Sequence, residues 1–324
     1  MRLGSAKAII VLALSVMAGT TFAVASEPED AGWAFPEPSS TSNASPAAPE
    51  GGFSVPGSAY RYSASDIRNL YQAVDWFPAL RVGAPRPVLQ GRTAGAMACG
   101  YCHLPDGQGR PENAAIAGLP AAYIVEQVRA FHDGLRKGAR PAWRASALMT
   151  QTAKLAEPDA VEAAARWFEA QPYAKAFRLI EGREIDAAVA GPGVYVHGPG
   201  GGREPLGKRI VEIPNDFARF ELRDNRPGYT IFVPEGSIER GRALAETGGG
   251  GRFAPCATCH GAGLKGGLGP PLAGRYPAYL FRQMIGFSTG DRRSEAAAPM
   301  IETASKLRTG DMIALAAFAS SLTP

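Results

Sequence analysis

Two stretches decide how this chain is read: Cys99-Gly100-Tyr101-Cys102-His103 and Cys256-Ala257-Thr258-Cys259-His260. Between them they hold all 4 cysteines of the 324 residues. In an oxidising compartment four cysteines could form two structural bridges, but each pair here is spaced by two residues and followed at once by His. Residues three apart on a helical turn share a face, so the two thiols of each motif point the same way. Cys-x-x-Cys-His is the attachment signature of c-type haem: the thiols form thioethers with the vinyl groups on one porphyrin edge, and the imidazole becomes the proximal iron ligand. The reading therefore assigns two covalent haem c groups, one on Cys99 and Cys102 and one on Cys256 and Cys259, with His103 and His260 on the irons. A thioredoxin-like pair would follow a strand in a βαβ pattern, and a single zinc site drawn from both pairs would leave the two histidines without a role.

Laying the second motif over the first exposes an internal repeat. Ala117-Gly118, Tyr123, Gln127 and Phe131 recur as Ala273-Gly274, Tyr279, Gln283 and Phe287, each 156 residues later. Leu148-Met149 with Thr152-Ala153 then recur as Pro299-Met300 with Thr303-Ala304, at an offset of 151. Met149 and Met300 thus hold matching positions on stretches that precede helices. Thioether sulfur is a soft ligand that favours reduced iron, so these two are the candidate distal ligands. Met284 and Met312 fall on apolar helical stripes and read as core. His132 and His197 are not equivalent in the repeat and read as surface or loop residues.

Length and composition set the frame. A chain this long suggests about two domains, and 39 Gly with 27 Pro imply much loop. Arg2 and Lys7, the apolar run from Ala8 to Ala18 and the small residues Ala23-Val24-Ala25 read as a cleaved export signal over residues 1–25. The run is shorter than the roughly 18 residues a membrane span needs, so no transmembrane span is expected in the mature chain. Without that signal the formal net charge falls from +4 to +2, which supplies no basic field for nucleic acid.

Residues 26–58, rich in Pro, Ser and Ala, read as a flexible tether, with Trp33 and Phe35 a sticky spot on a partner or on the protein itself. A first haem domain is expected over 59–171, with Ser65 capping a helix through Val74, a middle helix over Ala121 to Phe131 and a last one over Pro158 to Phe168. A second is expected over 237–324: Ser237 as N-cap of a helix to about Glu246, a Gly248–Gly251 stop, a helix over Pro277 to Phe287 and a last one from Thr309 to about Ser321. Between them, alternation in Arg209 to Ile213 and Tyr229 to Val233 predicts strands of a small insertion over 172–236. The fold class expected is mostly α, two haem domains in tandem with a small β-containing insertion between them.

These motifs, the Ala-Gly…Tyr…Gln…Phe repeat and the Met-then-helix ending together resemble tandem dihaem class I cytochromes c, especially those of the c-four type. Pro270-Pro271-Leu272-Ala273-Gly274 is similar to that family's Pro-x-Leu-Ala-Gly segment, whose Pro carbonyl accepts a hydrogen bond from the proximal His. In the first copy Ala114 stands in that place. The helix that precedes the haem motif in the family is displaced in the first copy to about residues 65–74. The resemblance implies a periplasmic electron carrier rather than an enzyme, cycling single electrons through two His/Met-ligated haems. Its partners would be a redox protein donor and acceptor, a dehydrogenase or terminal oxidase among them. The alternatives are a dihaem oxidoreductase of peroxidase type and a dedicated electron-transfer subunit. A thiosulfate-oxidising dihaem enzyme is a closer rival than a peroxidase, but its catalytic haem uses an additional Cys, and no fifth Cys exists here.

Overall fold

A computed structural model describes residues 31–38, 49–92 and 94–324; the export signal lies outside them. The first helices are short: α1 (Ala64–Arg68) and α2 (Arg86–Leu89). α1 is closed by a capping box in which Ser63 Oγ accepts from the Asp66 N–H and Asp66 accepts from the Ser63 N–H. The cap expected at Ser65 is thus two residues early, and the helix stops at Arg68 instead of reaching Val74 because Asn69 is already extended.

The first repeat continues with α3 (Cys99–His103), α4 (Ala121–His132), α5 (Arg144–Leu155) and α6 (Pro158–Glu169). The insertion holds β1 (Phe177–Gly182), β2 (Glu184–Asp186), β3 (Ala188–Ala190), β4 (Tyr195–His197), β5 (Arg203–Pro205), β6 (Val211–Pro214), the helix α7 (Phe217–Glu221) and β7 (Tyr229–Pro234). The second repeat follows as α8 (Ser237–Gly251), α9 (Ala257–His260), α10 (Pro277–Ser288), α11 (Ala298–Ala304) and α12 (Thr309–Ser321). α8 is capped by Gly236 in the left-handed region rather than by the Ser237 side chain, and the Ile238 N–H is taken by Glu181. Four consecutive glycines with positive φ, Gly248 to Gly251, end it.

β7 is the centre of a three-stranded sheet, parallel to β1 and antiparallel to β6, while β2/β5 and β3/β4 form two antiparallel hairpins. The alternation of β7 buries Tyr229, Ile231 and Val233. The insertion is no separate lobe. Those side chains join Phe281, Ile285, Met312 and Phe318 of the second repeat in one apolar core. Tyr276 of the second repeat sits between Phe177 (5.3 Å) and Tyr229 (5.4 Å).

The segment expected to be a flexible tether departs from that reading over residues 31–38. Ala31, Ala34 and Phe35 are buried in the same core, and the Trp33 ring meets Phe281 at 4.6 Å. Two aromatic side chains outweigh the Pro-rich composition once a groove exists to receive them; the sticky spot falls on the protein itself. Among the described residues, no helix is long and apolar enough to cross a membrane.

The two repeats meet directly. The Lys137 N–H donates to Asp291 O and the Arg293 N–H donates to Leu135 O, both at 2.8 Å. These bonds exchange into each other under the 156-residue offset, so the repeats are related by a local two-fold axis.

Candidate functional site

Each Cys-x-x-Cys-His motif forms one short helix, and the chain turns sharply after it: Leu104 has φ 63° and Gly261 has φ 76°. The turn brings the following loop back over the imidazole. His103 Nδ1 lies 2.7 Å from Ala114 O, and His260 Nδ1 lies 2.8 Å from Pro270 O. The carbonyl that the family resemblance assigns to Pro is thus supplied equally well by Ala114, because a backbone oxygen needs no particular side chain. Burial, opposed by these carbonyls, lowers the pKa of both histidines. A neutral ring that donates from Nδ1 keeps the lone pair of Nε2 for a metal. Gly269 is required beside the second ring, since a Cβ there would stand 2.8 Å from His260.

In the first repeat these residues surround a largely apolar cavity of about 1350 Å³, its mouth included. Cys99, Cys102 and His103 from α3 line one part of it, Met149 from α5 another, and Ile116, Ile124, Phe131 and Phe168 much of the rest. Met149 stands inside α5, not on a loop before a helix, and Met300 likewise stands inside α11. Trp143 and Ala297 already begin or precede these turns, so the prolines at 141 and 299 mark helix entries rather than loop interiors. In the second repeat Met300 packs with Phe287, Ala297 and Ala304, and Phe287 is the counterpart of Phe131.

A covalent haem fits these residues. The thiols of Cys99, Cys102, Cys256 and Cys259 are free. Burial pushes Cys99 up to about 11, the opposite of the lowered value that a redox-active Cys-x-x-Cys dithiol requires. Among the described residues, no group of three or more His, Cys, Asp or Glu side chains is placed to hold a metal ion, which leaves the shared zinc site without a ligand set. At its far end the cavity turns polar, lined by Gln127, Arg136, Tyr279, Arg282 and Gln283. Arg136 Nε is a buried donor without a hydrogen-bond partner, as expected where the carboxylates of an amphipathic cofactor belong. The other histidines stay outside: His132 is exposed and bonded to Asp133, and His197 is exposed on β4.

The sequence reading missed this polar end, although its signal was present. The 156-residue offset runs on past Phe131 and Phe287 to Arg136 and Arg292.

No protein-family model and no curated protein matches the chain. Among solved structures it is similar to the thiosulfate dehydrogenase TsdBA of Marichromatium purpuratum, at 27% identity and a TM-score of 0.50 over 74% of this chain. The chain spans only 39% of that protein's length. It also aligns with cytochrome c4 of Pseudomonas stutzeri (20% identity, TM-score 0.46, covering 69% of this chain and 93% of that one). Cytochrome c4 of Acidithiobacillus ferrooxidans gives 21% identity and a TM-score of 0.44, covering 69% and 98%. The motifs, the repeat and the folded arrangement converge on one architecture: a mostly α chain of two tandem units, each with one Cys-x-x-Cys-His motif suited to a covalent haem.

Proposed function

We propose that the chain is a periplasmic carrier of single electrons between redox proteins, with His103 and Met149 on one iron and His260 and Met300 on the other. The observation that carries this reading is the first cavity, where Cys99, Cys102, His103 and Met149 line one space. When bound, each haem supplies one ferric/ferrous couple. The chain's own part is to orient and to exclude. The Ala114 and Pro270 carbonyls fix the imidazole rings, and the thioethers of Met149 and Met300 would hold the other side of each iron and favour its reduced state. The apolar lining of the first cavity keeps water away. Partner contacts of modest area would suit a carrier that must release its partner after each transfer.

The test is a potentiometric titration of the holoprotein with Met149→Ala and Met300→Ala. Each variant is expected to keep both haems by intact mass, to lower one midpoint and to admit cyanide at one iron. An unchanged two-step titration in either variant removes that methionine from the reading.

A second reading, thiosulfate oxidation, is favoured by the likeness to the Marichromatium enzyme. It is weakened by the cysteine count, since all 4 belong to the two attachment motifs. Turnover of thiosulfate by the purified holoprotein with a chemical electron acceptor would decide for the enzyme.

A further inference from the structure

The seam between the repeats holds more positive charge than its neighbours balance. Arg136 donates to Gln127 Oε1 in its own repeat (2.6 Å) and to Gln283 Oε1 in the other (2.8 Å). Arg292 answers it by symmetry, donating to Gln283 Oε1 (3.2 Å) and to Gln127 Oε1 (2.6 Å). Each guanidinium also covers the phenylalanine of its own repeat, Phe131 or Phe287. Both arginines are buried, and neither has a carboxylate within ion-pair distance among the described residues. Buried, uncompensated cations call for an anion, and the first cavity opens onto Arg136. The propionates are the ionised groups of a haem.

The symmetry then breaks at one position. Arg282 of the second repeat lines the first cavity, and the residue 156 places earlier is Glu126. The first cavity thus has a cation at a position whose repeat counterpart is a carboxylate, one that accepts from the Gln127 side-chain amide. Arg282 is held in place by the Ala34 and Pro111 carbonyls and lies over Trp143. Two acids act on it from a distance, and neither is ion-paired with it among the described residues: Glu112 pairs with Arg110 at 3.1 Å, and Glu212 accepts the Ala278 N–H. The attachment helices differ in the same sense. Gly100 and Tyr101 are buried, with Arg223 stacked on Tyr101 at 3.6 Å, whereas Ala257 and Thr258 are exposed.

We propose that Arg136 and the second repeat's Arg282 together hold the propionates of the first haem, which makes it the higher-potential haem and the resting place of an electron that enters at the exposed second haem. The inference rests on the dihaem reading above. Adding an electron removes one unit of positive charge from the iron, so a nearby cation and a low-dielectric surrounding both favour the reduced state. In the step itself one electron leaves the second ferrous iron and reduces the first ferric iron, with no proton or bond exchanged.

The experiment is a haem-resolved redox titration of the full holoprotein by NMR. The haem methyl resonances are assigned through contacts to Ile124 in the first repeat and to its counterpart Leu280 in the second. In the parent protein the first haem is expected to have the higher midpoint. Arg282→Gln should lower the first midpoint and leave the second in place, Arg282→Lys should restore most of the loss, and Glu126→Gln should raise the second midpoint. A higher second midpoint in the parent, an unmoved first midpoint in Arg282→Gln, or a lysine variant as shifted as the glutamine one overturns the inference. Should Arg282→Gln fail to fold, Glu126→Gln decides, and an unmoved second midpoint overturns it. Intact mass separates the two levels: missing haem defeats the dihaem reading, while two haems titrating in the opposite order defeat this inference alone.

Discussion

The two repeats agree closely after their Cys-x-x-Cys-His motifs and part company before them. The second enters through the long helix α8, which crosses α12 so tightly that a Cβ on Gly241 would stand 2.0 Å from Ala314 O. Among the described residues, the first has no such helix. Its motif is backed by the single turn α2, whose Val88 is fully buried, and a Cβ on Gly100 would lie 2.6 Å from Val88 O. The corresponding Ala257 faces solvent. Symmetry is kept where the halves meet each other, apart from the exchange of Glu126 for Arg282. It is lost on the outer flanks, where the first repeat is covered by residues 49–92 and by the insertion: Trp76 Nε1 donates to Leu222 O and Arg223 to Tyr101 O.

The strongest way to break the contrast is Gly241→Val. Its side chain must push α8 off α12, and overpacking against backbone leaves little room to relax. A loss of about 3 kcal/mol or more is expected in chemical denaturation, and a loss below about 1 kcal/mol would mean that the crossing is loose.

The helix entries offer a second contrast. The first turn of α10 gives its Ala278 N–H to the buried Glu212, whereas that of α4 gives its Ala121 N–H to the exposed Glu169. Burial, partly offset by Arg282 and by the Ala278 N–H, pushes Glu212 up to about 7. Between the unfolded value near 4.5 and about 7 the folded state then holds the extra proton, so stability falls as pH rises through that window. The whole drop is about 3 kcal/mol. Glu212→Gln should flatten the dependence and Glu169→Gln should not, as read from unfolding midpoints across the window.

Exchanging the motif residues sharpens the comparison further. Gly100→Ala should cost about 1–3 kcal/mol through its clash with α2. The reverse change, Ala257→Gly, should cost only about 0.5–1 kcal/mol, the usual penalty of glycine in a helix. Equal losses would show that the two motifs sit in equivalent surroundings.

Much of this was legible in the residues. The motifs placed α3 and α9, and apolar periodicity placed α4, α6, α10 and α12 to within about one residue of their ends. Alternation found β6 and β7; β1 is as long as β7 but its side chains do not alternate between buried and exposed, and the hairpin strands are only 3 residues each. The carbonyl behind His103 could not be read, because Ala114 acts through its backbone. Local composition misled at residues 31–38, where Trp33 and Phe35 find their partners in α10 and beside α5, far along the chain. Arg136 and Arg292 were missed because arginine is ordinarily a surface residue; only the repeat offset distinguished them.

The Arg282 bond to Ala34 O joins residues 248 positions apart. Synthesis runs from the N-terminal side, so residues 31–38 must wait until the chain through α10 is made before their own seat exists. Contacts of such long reach slow the search for the native state. Throughout that wait the aromatic side chains at 33 and 35 remain uncovered, and an unfinished chain has an apolar hook for other unfinished chains to catch.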